Sequence, residues 1–279
     1  LNAGRSRSPE SGRRGRTGFV AAVAGAVVLT ALTAPPAQAA PTGLAVTDVV
    51  VNKGKPIVVG TSDIKQPPIT FRITFPPGYT TEKPLMYDAY PFLYHGTTAA
   101  KGERGGLRVG GWVCYETVAR SARCEGTMFI DPRYDLDANN DATKWKIGLA
   151  LRLYKTDGQL KAEEFKTAPG TVQLKRWAKA TVNASPEPVK KGKKLTVTGK
   201  LTRADWTKHK YTGVAGSARL QFRKKGSSAY ATVKTVKSNS AGALKTTVTA
   251  SADGYWRWTH NGSSTTGPAT STADFVDVR

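Results

Sequence analysis

Turn-forming residues interrupt this chain at intervals of about 8 to 12 residues, and the stretches between them alternate apolar and polar side chains with period 2. No window of ten or more residues sustains the apolar period of an amphipathic helix. Strands this short cannot bury an apolar face alone, so they must pair into sheets that pack face to face. Thr, Gly and Val each outnumber Leu, a composition suited to strands and tight turns.

The second half reads most clearly. Candidate strands are Lys179–Ala184, Lys193–Leu201, Ser217–Arg223, Ala229–Lys237, Ala243–Ala250, Tyr255–His260 and Thr272–Val278. Pro186, Gly226, Asn239 and Gly262 fall between them. Alternation puts Leu195, Val197, Gly199 and Leu201 on one face, against Lys194, Thr196, Thr198 and Lys200 on the other. Leu220 and Phe222 likewise oppose Arg219, Gln221 and Arg223, and Trp256 and Trp258 enter the core together. Seven strands in this pattern predict an Ig-like sandwich over residues 175–279.

Residues 40–174 are also strand-rich, with candidates at Val46–Val51, Pro56–Gly60, Ile69–Phe75, around Leu93–Tyr94, and at Gly111–Glu116, Arg123–Ile130 and Lys144–Tyr154. The segment Lys53 to Val59 echoes Lys191 to Val197, which hints at two related sandwiches. The prediction is an all-β protein, two tandem Ig-like β-sandwich domains. Gly170 to Lys179 has neither a Gly/Ser nor a Pro tract, so the domains should join stiffly, with Trp177 near the joint.

Ahead of them, Arg13, Arg14 and Arg16 lead into an uncharged run from Phe19 to Ala34, followed by Ala37-Gln38-Ala39. This is the layout of a secretory signal peptide over residues 1–39, cut after Ala39. The run is shorter than the ~20 residues a membrane-spanning helix needs, and no later segment is apolar enough to stop transfer. The expected product is secreted, extracellular and without a transmembrane segment.

The two cysteines, Cys114 and Cys124, flank a hairpin centred on position 119 and face each other across it. Export favours a disulfide. A catalytic or metal-binding thiol pair would call for C-x-x-C spacing or an adjacent His, and neither is present.

Charge is uneven. Residues 175–279 carry 20 Lys/Arg and 5 Asp/Glu, a net of +15, whereas residues 40–174 carry 17 and 14, a net of +3. A field of this size attracts polyanions. The candidate contacts are Lys190, Lys191, Lys194, Lys200, Lys208, Lys210, Arg219, Arg223, Lys224 and Lys225. Trp206 joins them, in a loop from Ala204 to Tyr211 that mixes aromatics with cations. The partners this implies are an anionic cell-wall polymer or an acidic polysaccharide, with nucleic acid held only non-specifically. Two plainer readings stand beside it: lysines that solubilise a sandwich and blunt its edges, and Trp206 and Tyr211 tucked over an open end.

Asp131, Asp135, Asp137, Asn139 and Asp141 place oxygens at alternating positions, like the first half of a calcium loop. Asn140 stands where such a loop needs Gly, and Lys146 where it needs the closing Glu, which excludes an EF-hand. Calcium therefore enters as the one candidate cofactor, and the function reading is twofold. One is an Ig-like binding or cell-envelope-associated protein whose basic second domain holds anionic polymer; the other is a calcium-binding extracellular structural protein organised by this cluster. In the competing reading Asp141 fixes the turn into a strand that Trp145 caps. Catalysis has no motif behind it: His95, His209 and His260 are isolated, and there is no G-x-S-x-G, H-E-x-x-H or phosphate-cradling loop.

Three runs carry a resemblance: Val182 to Lys193, Leu220 to Gly226, and Ala252 to Trp258. With Tyr94-His95-Gly96 and Ile130-Asp131-Pro132-Arg133, they make the chain similar to a family of secreted actinobacterial Ig-like proteins. The resemblance implies an extracellular sandwich protein from a largely uncharacterised family, at times labelled calcium-binding, with no catalytic motif to transfer.

Overall fold

The computed structural model describes residues 41–82 and 86–279. The predicted signal peptide lies outside the described residues. The described residues form seventeen strands in four sheets. Among the described residues, α-helix is limited to the single turn α1 (Ala99–Gly102), which Thr98 caps by accepting from the Lys101 N–H.

The first sandwich packs two sheets. One has the order β1 (Ala45–Val51), β3 (Pro68–Thr74), β6 (Ser121–Met128), β5 (Val109–Val118). The other has the order β2 (Ile57–Val59), β8 (Leu160–Arg176), β7 (Lys144–Tyr154), β4 (Tyr87–Tyr94). Alternation drives the core: Ile69, Phe71 and Ile73 of β3 point in, as do Leu149, Leu151 and Leu153 of β7. Strand β7 is buried on its other face too, because α1 and its flanking loop cover it and enclose Phe92, Tyr94, Ala99 and Ala150. Gly148 admits this second layer, since a Cβ there would come within 2.3 Å of the Phe92 ring.

The second sandwich sets β9 (Ala178–Ser185), β10 (Lys194–Asp205), β11 (Lys210–Gly213) and β14 (Ala243–Thr249) against the other sheet. That sheet comprises β12 (Ser217–Lys224), β13 (Ala231–Lys237), β15 (Gly254–His260), β16 (Ala269–Thr270) and β17 (Asp274–Val276). Its core holds Leu195, Val197, Leu201, Leu220, Trp256 and Trp258. The seven expected strands are present, with β11 and β16 added as short edge pieces.

The echo between residues 53–59 and 191–197 has no structural counterpart. Strand β2 is a three-residue edge piece paired parallel with β8, whereas β10 is a central strand flanked antiparallel by β9 and β14.

One residue, Trp177, separates β8 from β9. Its N–H donates to the Val59 carbonyl at 2.8 Å, and its own carbonyl accepts from the Ala204 N–H at 2.7 Å. Arg176 extends the ladder to Thr265 and Gly267. Trp206 completes the joint. It belongs by sequence to the second sandwich, yet its indole is fully buried among the core side chains of the first, and its Nε1 donates to the Gly60 carbonyl at 2.8 Å.

Candidate functional site

The residues singled out for polyanion binding do not form one surface. Lys190 and Lys191 sit in the turn between β9 and β10. Lys194 and Lys200 lie on the outer face of β10, beside Lys245 on β14, which pairs with Thr198. Lys208 and Lys210 belong to the hairpin entering β11, where the Lys208 N–H donates to Asp205 at 3.1 Å. Trp206 is a correction: it is 0% exposed and cannot stack on a ligand. A large apolar ring ending a strand beside another domain gains more by burial in the neighbouring core than by exposure at a tip. The aromatic–cation mixture around it is therefore a joint.

Arg219, Arg223, Lys224 and Lys225 do share a neighbourhood. With Ala218 and Leu220 pointing in, Arg219, Gln221 and Arg223 project from β12. On β15 the buried Trp256 and Trp258 leave Tyr255, Arg257 and Thr259 on the same outer face. The register aligns Arg219 with Thr259, Gln221 with Arg257, and Arg223 with Tyr255, and sets Tyr255 beside Phe275 of β17.

These side chains interlock. The Arg223 guanidinium lies 4.0 Å from the Tyr255 ring centroid and 5.4 Å from that of Tyr230. The Arg257 guanidinium lies 3.6 Å from the Tyr230 centroid, and its Nε donates to Gln221 at 2.8 Å. Lys225 approaches Phe275 at 5.5 Å, and the rings of Tyr255 and Phe275 are 5.1 Å apart. Arg223 also donates from Nη1 to the Ser227 carbonyl at 2.6 Å. Guanidinium groups held this way keep their remaining N–H donors for an oxyanion and lose little further entropy when it arrives. Arg257, Tyr230, Tyr255 and Phe275 were absent from the sequence-derived set. Strand parity could have found the first and third, because placing Trp256 and Trp258 in the core sends Tyr255 and Arg257 outward.

The carboxylates proposed for calcium do not converge. Asp131 is held by Arg133, with Nε at 2.9 Å from Oδ1 and Nη2 at 2.6 Å from Oδ2, and that hydrogen bonding holds its carboxyl below the usual range. Asp135 accepts from the Asp131 N–H at 2.7 Å, and Asp137 is exposed. Asn139 donates to Asp205 at 2.9 Å and accepts from the Trp206 N–H at 3.0 Å. Asp141 accepts from the Ala138 N–H at 3.0 Å, and its carbonyl accepts from Trp145 Nε1 at 2.9 Å. Among the described residues no cluster of three His, Cys, Asp or Glu side chains has metal-binding geometry. The physical reason is local: Asp131, Asp135, Asn139 and Asp141 each have an oxygen engaged by a turn N–H, an arginine or the joint, and Asp137 stands exposed apart from them. The competing reading of Asp141 and Trp145 describes the geometry.

Cys114 and Cys124 are direct cross-strand partners on β5 and β6 and are joined in a disulfide. The three histidines sit on separate elements. His95 packs at a tilt of 46° against Trp145 with ring centroids 3.7 Å apart, and burial lowers its pKa against the partly opposing pull of Asp141. His260 Nδ1 lies 2.8 Å from the Ser217 carbonyl.

No family model matches the chain, and no curated protein does. Among solved structures it is similar to the full ectodomain (Ig1–Ig3) of mouse nectin-like molecule 4, at 11% identity over 85% of this chain and 65% of that one, with a TM-score of 0.24. It is similar to a marsupial T cell receptor at 11% identity, 84% and 73% coverage and a TM-score of 0.38. The Escherichia coli adhesin FdeC matches at 16% identity, 87% and 66% coverage and a TM-score of 0.31. The chain spans about two thirds of the length of the first and third of these. Among the described residues, no helix is long and apolar enough to cross a membrane.

Proposed function

We propose that the protein is an exported, non-catalytic Ig-like binding protein whose second sandwich holds anionic extracellular polymers on the outer face of β12, β13, β15 and β17. The observation that carries this reading is the stacking of Arg223 and Arg257 on Tyr255 and Tyr230, which pre-positions two guanidinium groups on an open sheet face. Lys224 and Lys225 at the end of β12 add charge, and the domain's net of +15 draws the polymer in from a distance. Export rests on the leader over residues 1–39 and on the resemblance to secreted Ig-like proteins. The polymer class is acidic polysaccharide or phosphate-bearing wall polymer, recognised through its repeated oxyanions.

Binding of the full chain to polygalacturonate tests this reading. Replacing Tyr230 with Ala removes no charge but takes away the ring beneath Arg257 and the more distant of the two rings beside Arg223, so affinity should fall about three- to tenfold, as expected for losing a cation–π contact. Tyr230→Phe keeps the ring and should bind like the parent. Equal binding by all three proteins would overturn the assignment of this face.

A further inference from the structure

At the end of that face nearest the first sandwich lies a cleft of about 350 Å³, bordered by Arg203, Gly216, Arg219, His260, Gly262 and Thr266. Its cations are unusual in their partners. Arg219 donates through Nη2 to Asn261, while its Nε is buried with no hydrogen-bond partner. Arg203 donates from Nη1 to Thr266 Oγ1 at 3.0 Å. Close enough to Arg203 to repel it is Arg176, 6% exposed, whose Nε is also buried and unpartnered. Burial first, and then repulsion from Arg203, pushes the Arg176 guanidinium down to about 10, with Asp205 only partly opposing. Burial likewise lowers Arg203.

Among the described residues no carboxylate lies within 4.0 Å of any of these three guanidinium groups. Arg203 and Arg219 are half-buried in the cleft wall, with Arg176 buried behind it. Cations that no carboxylate reaches within ion-pair distance, and the buried Arg219 Nε without an acceptor, cost free energy that an oxyanion offsets directly. The remaining wall is neutral and hydroxyl-rich: Ser217, Thr235, Thr259, Asn261 and Ser263 line it. The cleft is much larger than one oxyanion requires, and side-chain hydroxyls and amides suit a polyhydroxylated ring.

We propose that this cleft is a discrete binding site for an acidic sugar, one carboxylate or phosphate carried on a hydroxylated ring, with Arg203 and Arg219 receiving the oxyanion. The site does not depend on the polymer-binding face. Arg219 borders both, and Arg203 belongs to the cleft alone.

The test is calorimetric titration of the full-length protein with glucuronate, glucose 6-phosphate, glucose and inorganic phosphate, in the parent and in Arg203→Gln. The expected result is saturable one-to-one binding of at least one sugar acid, weakened about tenfold in Arg203→Gln, with neutral glucose silent. Glucuronate and glucose 6-phosphate separate a carboxylate ligand from a phosphate one. Because Arg203 repels Arg176, Arg203→Gln should fold with a thermal midpoint no lower than the parent's; if it does not fold, Arg219→Gln serves as the second variant. Polygalacturonate retention through Arg223 and Arg257 should survive in Arg203→Gln, which keeps failure here distinct from failure of the polymer reading. The proposal is overturned if no sugar acid binds at about 10 mM, if Arg203→Gln binds as the parent does, or if inorganic phosphate binds as tightly as the sugars.

Discussion

Trp206 of the second sandwich donates from its indole Nε1 to the carbonyl of Gly60 in the first, at 2.8 Å, with the ring fully buried. Around this contact Asn139 bridges the Asp205 carboxylate and the Trp206 N–H, and Trp177 bonds backbone to both halves. The two sandwiches therefore share a core residue, which should couple their stabilities.

Replacing Trp206 with Ala should cost about 3–5 kcal/mol, the range for deleting a buried large aromatic side chain. Both halves should lose stability together, in one denaturant transition followed by intrinsic fluorescence and by far-ultraviolet circular dichroism. Two separate transitions, only one of them shifted, would show that the halves fold independently. By the same logic residues 175–279 expressed alone should be aggregation-prone, since the cut exposes Trp206.

Asp205 gives the joint a pH dependence. Burial raises its pKa, but hydrogen bonds from Asn139 and the Lys208 N–H outweigh that, and the net shift is below the ordinary 3.8. A carboxyl depressed on folding adds stability that is fully present above its unfolded value and lost as pH falls through its folded one. The difference in thermal midpoint between the parent and Asp205→Asn should hold steady near neutral pH and shrink below about pH 4. A difference that is unchanged in acid would remove Asp205 from the account.

The disulfide closes a loop with a sequence separation of 10, which in a chain-entropy estimate is worth roughly 2–3 kcal/mol. Alkylation of the exported protein without reductant, followed by mass spectrometry, should find neither Cys114 nor Cys124 modified. Reductant should lower the denaturant midpoint.

For the acidic segment, millimolar calcium should leave the thermal midpoint unchanged, because Asp131, Asp135, Asn139 and Asp141 are already engaged by the protein. Asp131→Ala should destabilise with or without calcium, by about 1–3 kcal/mol, through the loss of its bonds to Arg133. A calcium-dependent rise that a chelator reverses would restore the carboxylates to a metal-binding role.

Much of the fold was legible because strand parity is a local property. Leu195 to Leu201, Leu220 with Phe222, and Trp256 with Trp258 reveal their inward faces without any knowledge of partners. Strand β8 escaped because Leu160 to Arg176 alternates poorly, mixing Lys161, Glu163, Glu164 and Lys166 into a strand whose outer face is polar. Trp206 was misplaced for a related reason. An aromatic among lysines looks like a ligand platform until a second domain covers it, and no period within one segment reports what another domain will cover. The partners of the acidic run were out of reach in the same way, since spacing along a loop does not say which oxygens the turn itself consumes. Arg203 and Arg176 come together only through the joint, so nothing local marks them as neighbours.

The claim that the face of Arg223 and Arg257 holds anionic polymer is tested most directly by the salt dependence of polygalacturonate binding to the full chain. Three proteins are compared: the parent, Arg223→Gln with Arg257→Gln, and Lys194→Gln with Lys200→Gln, the last pair removing equal charge from the opposite sheet. The account predicts that the arginine pair loses about one and a half units from the slope of log affinity against log salt, through lost counter-ion release at two charges, together with most of its affinity, while the lysine pair nearly matches the parent. Equal losses in both variants would show that net charge alone, and not this face, governs binding.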